Sequence, residues 1–496
     1  MNDYQKQLKA WQAKPFIKQL KKQLPQAEIF LVGGAVRDII LGRETKDFDF
    51  VIRNVSKKNL EKFLLKLGKV NLVGKKFGVF KFRPRGWQGE DIDIALPRTE
   101  HSIGMTGGSR DFKIQSNAKL KIEDDLSRRD FTINAMAWDI NQSKLIDPFN
   151  GLSDLKNKII KTVGKAELRF KEDYSRMLRA IRFAVQLNLP AGKAGFEIES
   201  KTWQTIKKSI QNLNKKINGE WVVAREIIAK ELTKAISAQP VLALELLDKS
   251  NTLKHLMPEL LKMKGCPQPK NFHSEGDVWQ HTVLALKKFN SAAFKKEFGS
   301  ARVTAEVSCG LIFHDIGKPY TITKADRLRF NNHDVVATKI FKDIAERLRL
   351  SAAGIKTEVV ENIIAKHMLP VHAKVETMKD TTIEKYFFNE NFPGEELLML
   401  IFADISATVP PSGKPDFTTY KKLKNRINKL KRKSKGPDSK KLPRPLINGH
   451  DLMKELKLKS GPPIGKLLAI ARETQLSGKI KTKKQALTFL KKQNRD

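Results

Sequence analysis

"LVGGAVRDIILGRETKDFDFVI", residues 31–52, decides how the amino-terminal part of this chain folds. An apolar run ends in the pair Gly33–Gly34, a short helical pattern closes at Gly42, and a second apolar run opens on Asp47 and Asp49. That order reads as strand, tight turn, helix, strand. Bare glycines let backbone N–H groups face outward, and with the following helix they form an anion site. Arg37 lies one turn into that helix, within reach of the same anion. Carboxylates two apart on a strand share a face. Asp47 and Asp49 therefore repel unless something positive sits between them.

Working outward, residues 1–25 read as one polar amphipathic helix ending near Pro25, and "LEKFLLKLG" is helical. Alternation over Phe77–Phe82 and "EDIDIAL" at 90–96 give further strands. Asp93, between two isoleucines, is a third carboxylate where an unpaired charge is expensive. Asp91, two residues earlier on the same face, competes for that role. A phosphate-binding turn with three strand carboxylates suggests a two-metal site. Mg²⁺ takes oxygen ligands and bridges carboxylates to phosphates, and two such ions activate a hydroxyl and stabilise a leaving pyrophosphate. The plainer alternative is an ordinary turn followed by solvated aspartates at a strand edge.

The chain has 496 residues, too many for one ordinary core, so three or more domains are expected. With 40% hydrophobic and 30% charged residues it is globular rather than disordered. The 94 Lys+Arg exceed the 54 Asp+Glu by enough to give a net charge of +40, which points to a polyanionic partner, with a solubility adaptation as the alternative. Cys266 and Cys309 are the only cysteines and form no CxxC pair, which argues against a zinc ribbon or a disulfide scaffold and fits a reducing cytoplasm. No apolar run is long enough for a signal peptide or a membrane span, so no membrane partner is expected.

After "DPFNG" (147–151) the strand signals fade and helices dominate. "KEDYSRMLRAIRFAVQL" (171–187) has helical apolar spacing, "PAGKAGF" (190–196) is a loop, and Pro267 and Pro269 mark a boundary. Of nine histidines, seven fall between 255 and 372. His281 precedes His314–Asp315, which sits in "LIFHDIGKP", read as an apolar helix broken by Gly317. Asp404 lies inside the apolar "LLMLIFADISATV", where a carboxylate needs a cation or a hydrogen-bonding partner. Residues 421–435 are dense in Lys and Arg, with Leu423, Ile427 and Leu430 at helical spacing. They suit either salt-dependent phosphate contact or a solvated helix.

"LVGGAVRDIILGRETKDFDF", "IDIALPRTE", "RRDFTINAMAWD" (128–139), "DPFNGLSDL" and "EDYSRMLRAIRFA" (172–184), in this order, resemble the class II tRNA nucleotidyltransferase and bacterial poly(A) polymerase family. The resemblance implies that Gly33, Gly34 and Arg37 hold a triphosphate, that Asp47 and Asp49 bind the metals, and that Asp93 is the third catalytic carboxylate. It sets Arg129, Asp130 and Asn134 near ribose or phosphate, although Asp130 also suits a plain helix N-cap. It groups Arg179 with the nucleotide-binding residues. Asp173 and Arg176, spaced i and i+3, would by spacing alone be an ordinary surface ion pair worth a few tenths of a kcal/mol. The resemblance makes them a protein template: carboxylate to exocyclic amine, guanidinium to ring acceptor, a pairing that suits C or A and disfavours G or U. "PRTEHSIGMTGGSRDF" (97–112) reads as a mobile loop closing over the nucleotide. The order of His281, His314, Asp315 and Asp404 resembles the HD phosphohydrolase superfamily, which implies a second divalent metal on these four residues, with His333, His367 and His372 as outer or second-metal ligands. The segment from "PLINGHDL" onward resembles the carboxy-terminal unit of HD-containing nucleotidyltransferases, and its Gly-Pro-Pro-Ile-Gly turn suits a phosphate.

The expected fold class is therefore α+β, a small mixed-sheet head followed by mostly helical domains. The expected divisions are a nucleotidyltransferase head at 1–150, a helical nucleotide-selection and RNA-binding domain at 151–265, an HD-type domain at 266–410, a basic linker at 411–445 and a small RNA-binding unit at 446–496. The expected activity is template-independent addition or repair of the tRNA 3′-terminal CCA from CTP and ATP. A poly(A) polymerase, a partial CC- or A-adding enzyme, or an HD phosphohydrolase with an RNA-binding head are the alternatives.

Overall fold

In the computed structural model the Gly33–Gly34 turn joins strand β1 (Glu28–Val32) to a helix, Gly34–Ile40. The structure describes residues 3–73, 79–102, 107–108, 112–188, 195–324, 327–372, 374–433 and 442–493. The other strands of the head are β2 (Asp49–Arg53), β3 (Gly68–Val73), β4 (Val79–Pro84), β5 (Ile92–Ala95), β6 (Arg98–Ser102), β7 (Phe112–Ser116), β8 (Ala137–Asp139) and β9 (Lys144–Ile146). Seven of them make a mixed sheet in the order β3-β4-β5-β2-β1-β8-β9, and β6 and β7 pair separately. The β2–β5 pair is parallel and its neighbours are antiparallel. β1 is central and buried on both faces, so it reads as a continuous apolar run rather than an alternating one. Phe30, Val32 and Val51 pack one face against Ile122, Leu126 and Val163.

Several expectations need correction. The amino-terminal helix is broken into Asp3–Lys9 and Pro15–Gln23, because Pro15 lacks an N–H and drives Lys14 into an extended conformation. Asp47 lies ahead of β2 rather than on it. Val32, the last residue of β1, pairs with Asp49, and the chain then turns away at Gly33, so earlier residues have no partner strand. Of the expected loop at 97–112, Arg98–Ser102 and Phe112 instead belong to a hairpin, with Arg98 opposite Ser116 and Ser102 opposite Phe112. Residues 103–106 and 109–111 of that stretch, and 190–194 of the expected "PAGKAGF" loop, lie outside the described residues. Strand pairing also persists past residue 150, in the ribbons Ile159–Ile160/Glu197–Ile198, Lys216–Ile217/Glu220–Trp221 and Ile322–Lys324/Leu328–Phe330.

The stretch 171–187 is two helices, Ala166–Glu172 and Ser175–Leu187. Asp173 between them is extended, and its carboxylate accepts from Ser175 N at 2.8 Å, a side-chain bond that competes with the helical ladder. The helix before His314 ends at Phe313, ahead of Gly317, in turns where Ile316 N donates to Phe313 O and Lys318 N to Asp315 O.

The chain divides into two compact units, Met1–Leu256 and Met257–Asp496. The division precedes the prolines expected to mark it, because residues 257–266 bond onto the helix Val278–Lys288, which bears His281: Val278 N donates to Cys266 O and Trp279 N to Met263 O. Within the second unit the expected linker contains a helix, Thr418–Lys433, whose Leu423 and Leu430 are buried in a cluster with Val375, Met378, Ile383 and Leu476. Its cations are partly committed to ion pairs, Lys422 to Glu376, Lys424 to Glu297 and Arg426 to Asp380. Residues 446–490 build their own small core around Leu452, Ile464, Ala486 and Leu490. Among the described residues no helix is long and apolar enough to cross a membrane, and Cys266 and Cys309 are buried free thiols.

Candidate active site

The parallel register of β2 and β5 sets Asp49 directly beside Asp93. Asp91 is committed elsewhere, 2.6 Å from Arg83, so Asp93 is the third carboxylate of the group. Lys81, opposite Asp93 on β4, holds its Nζ 3.5 Å from Asp93 Oδ1, an oxygen with no hydrogen-bond partner. Burial lifts the Asp49 carboxyl to about 6. Asp47 and Asp93 push the same way, and Arg129 and Lys81 oppose. A cluster of carboxylates that disfavours its own charge, with a single lysine at 3.5 Å from one of them, fits a divalent cation.

Gly33 has φ of 71°, the left-handed region that favours glycine, and a Cβ there would lie 2.5 Å from Arg129 Nη1. The bare turn thus lets Arg129 rest against it. Arg37 does not reach outward as expected. Its Nε and Nη2 donate to Asp38 at 2.9 Å, and its Nη1 donates to Asn134 Oδ1 at 2.6 Å. Asn134 Nδ2 in turn donates to Asp130 Oδ1 at 3.2 Å, and Arg179 grips the other Asp130 oxygen through Nε at 2.8 Å. Asp130 is therefore no N-cap of the turn Thr132–Asn134 but the hub of a buried network. Burial opposes its charge, yet Arg179 and Asn134 outweigh burial and hold its carboxyl at about 2. The DPFNG motif braces this segment: Asp147 accepts from Gly151 N at 2.6 Å, and a Cβ on Gly151 would lie 2.2 Å from Thr132 O.

Asp173 and Arg176 do not share a helix face, since the helix break separates them. Arg176 instead donates to Glu172 at 2.6 Å and to the carbonyl of Arg128 at 3.3 Å. Reading the sequence missed Lys81, Phe183 and Glu231. Glu231, a carboxylate on the apolar face of the helix Arg225–Ala238, pairs with Arg182 at 2.5 Å, and the guanidinium of Arg182 lies 4.0 Å from the Phe183 ring centroid. A buried glutamate in "AREIIAKELTKAI" was the available signal.

The second unit brings His281, His314, Asp315 and Asp404 together. His281 Nε2 is 2.9 Å from Asp404 Oδ1, and His314 Nε2 is 3.2 Å from Asp315 Oδ2 and 3.6 Å from Asp404 Oδ1. His314 Nδ1 donates to Leu311 O at 2.8 Å, which turns its Nε2 toward the cluster. Burial opposes charge on that ring, yet the Asp315 and Asp404 carboxylates push its pKa up to about 10. That Nε2 is buried beside Asp315 Oδ2, an oxygen that Lys318 Nζ also meets at 2.6 Å. Two imidazoles and two carboxylates converging on one buried point fit a metal. His333 and His367 face the other Asp315 oxygen, at 3.4 and 3.9 Å. The side chain of His372 lies outside the described residues.

Glu275 was missed. It accepts from His281 Nδ1 at 2.7 Å and from His273 Nδ1 at 2.6 Å, the kind of outer carboxylate that orients a ligating imidazole. Burial opposes its charge, but the two histidine bonds prevail and hold its carboxyl at about 2. "HSEGDVWQH" carried that signal in its spacing. The cluster opens into a cavity of about 1100 Å³ lined by Phe272, His333, His367, Arg327 and Asp404 among others.

Residues 29–161 match the poly A polymerase head domain family, 289–397 the HD domain family, and 417–490 the second domain of tRNA nucleotidyltransferases. The HD match stops short of His281 and Asp404, which the fold nevertheless gathers with His314. The multifunctional CCA protein of Alkalilimnicola ehrlichii is 30% identical over 361 residues, covering 72% of this chain and 78% of that protein. The protein of the same name from Acinetobacter baumannii is 32% identical over 359 residues, covering 72% and 77%. This chain belongs to the CCA-adding nucleotidyltransferase family. The fold agrees: the CCA-adding enzyme of Bacillus stearothermophilus, solved with CTP, superposes with a TM-score of 0.63 at 22% identity, over 100% of this chain and 98% of that one. The Thermotoga maritima CCA-adding enzyme, solved with tRNA, gives 0.58 at 21% identity over 97% of each chain. As a CCA-family nucleotidyltransferase with an HD domain, the chain carries the α+β architecture expected of it, and its acidic and histidine groups are candidate metal holders.

Proposed function

We propose that this chain builds or repairs the 3′-terminal CCA of tRNA from CTP and ATP, releasing pyrophosphate. The observation that carries the reading is Asp49 beside Asp93, with Arg129 lying over the Gly33 turn. Mg²⁺ held by Asp47, Asp49 and Asp93 would lower the pKa of the RNA 3′-hydroxyl and neutralise charge on the triphosphate. The chain's own groups do the rest. The N–H groups of the Gly33–Gly34 turn and the Arg129 guanidinium bind phosphate oxygens. Asp130, fixed by Arg179 and Asn134, holds the wall of the nucleotide pocket in one geometry. Asp173 accepts from the exocyclic amine of C or A, and Arg176, steadied by Glu172, donates to the ring nitrogen beside it. The carbonyl and N–H on the corresponding edge of G or U would face like groups. The 446–496 unit, rich in lysine, contacts the RNA backbone, and the enzyme works in the cytoplasm, among the nucleotides it consumes.

Incubating tRNA that lacks its last three nucleotides with labelled CTP, with ATP, and with both tests this reading. CTP alone should add two residues and the mixture three. Long adenylate tails would mean a poly(A) polymerase, and no incorporation would overturn the assignment.

The convergence of His281, His314, Asp315 and Asp404 favours a second activity in the same chain, metal-dependent hydrolysis of a phosphoester in the histidine cavity.

A further inference from the structure

Trp221 is 37% exposed, an unusual position for the largest apolar side chain. It stands on a tight ribbon whose turn, Asn218–Gly219, has φ of 50° and 81°, both in the left-handed region that closes a two-residue hairpin. Arg225 Cζ lies 3.5 Å from its ring centroid. That guanidinium is buried and anchored, with Nη1 donating to Asn214 Oδ1 at 2.9 Å. Lys216, the cross-strand partner of Trp221, holds its Nζ 4.1 Å from the same centroid but is itself exposed. A rigid indole set between one fixed and one movable cation is the composition of a platform for single-stranded nucleic acid.

Its place in the fold narrows the ligand. The next residue, Val222, lies so close to Gly108 that a Cβ on that glycine would be 2.5 Å from Val222 O. Adjacent Gly107 accepts from Tyr174 N at 3.0 Å, and Tyr174 follows Asp173. The ribbon therefore abuts the segment assigned above to the base of the incoming nucleotide. The group that must lie next to an incoming nucleotide is the terminal residue of the strand that attacks it.

We infer that Trp221 stacks on a base at the 3′ end of the RNA being extended, with Lys216 moving from the ring to a neighbouring phosphate. Arg225 is a positioning residue that holds the indole plane. This rests on the proposed function and adds to it the residue that seats the primer. A tryptophan serving only to cover Arg225 would need neither its exposure nor the second cation.

The test is binding of end-labelled tRNA lacking CCA, without nucleotide, to wild type, Trp221→Leu and Trp221→Phe, with thermal unfolding of each. Stacking on one base corresponds to about tenfold or more in affinity. Trp221→Leu should weaken binding by that factor at unchanged Tm, and Trp221→Phe should restore it. RNA-induced quenching of tryptophan emission should fall in Trp221→Phe, a readout that survives if the leucine variant does not fold. Equal binding by wild type and Trp221→Leu, equal loss in both variants, or undiminished quenching would overturn the inference. A wild type that binds this RNA but adds nothing to it would overturn the proposed function instead.

Discussion

His333 Nε2 lies 3.1 Å from His367 Nε2, close enough that a proton or a cation must be shared between them. Each ring donates its Nδ1–H to a carbonyl three residues earlier, His333 to Phe330 O at 2.8 Å and His367 to Ile364 O at 2.7 Å. A carbonyl only accepts, so each Nδ1 is a donor, and the two Nε2 atoms turn toward one point with Asp315 Oδ1 beside them. As neutral acceptors at that separation they repel unless a proton or a metal ion lies between them. The other oxygen of Asp315 faces His314 and His281. One carboxylate thus borders two candidate metal positions.

The protein reconstituted with Mn²⁺ or Co²⁺ should therefore bind two ions in the histidine cluster, counted by elemental analysis on an Asp49→Asn background that weakens the head site. His367→Ala should lose one of them. An unchanged count in His367→Ala would show that the second group holds no metal.

The two catalytic readings separate by mutation. Asp49→Ala or Asp93→Asn should cut nucleotide incorporation by about a thousandfold, the scale of losing a metal-held transition-state contact, and leave any phosphoester hydrolysis intact. Asp315→Ala should do the reverse. Asp91→Asn breaks only the exposed pair with Arg83, worth about 0–1 kcal/mol, and should leave incorporation near wild type. Incorporation assays on folded variants check this, and an Asp91 variant as inactive as the Asp93 one would contradict the assignment of the third carboxylate.

Asp130 gives the stability a definite pH dependence. Its folded carboxyl, at about 2, lies below the ordinary aspartate value of about 3.9, so the unfolded chain binds its proton first. The contribution is fully present above about pH 4 and is lost as pH falls through about 2, with a size on the order of 2 kcal/mol. In urea titrations the stability gap between wild type and Asp130→Asn should be constant above pH 5 and shrink below pH 4. A gap that widens on acidification would contradict the Arg179 pairing.

What the sequence made legible was local. Gly33 had to be bare for its backbone angle and for Arg129, and Asp93 between Ile92 and Ile94 announced itself as a charge in an apolar strand. What it hid depended on distant partners. Lys81 meets Asp93 only through strand register, and Glu231 meets Arg182 only through helix packing. The break at Asp173 was invisible because the apolar period runs through it unbroken. The arms of the 98–116 hairpin carry too few apolar residues to alternate, and although Leu423, Ile427 and Leu430 stood at helical spacing, nothing local told that their partners Val375, Met378 and Leu476 would bury them.

The most direct measurement is the intact mass of a tRNA ending just before CCA after incubation with all four nucleoside triphosphates and Mg²⁺. The account predicts a gain of two cytidylates and one adenylate and nothing further. A ladder of adenylates, incorporation of G or U, or an unchanged mass would contradict it.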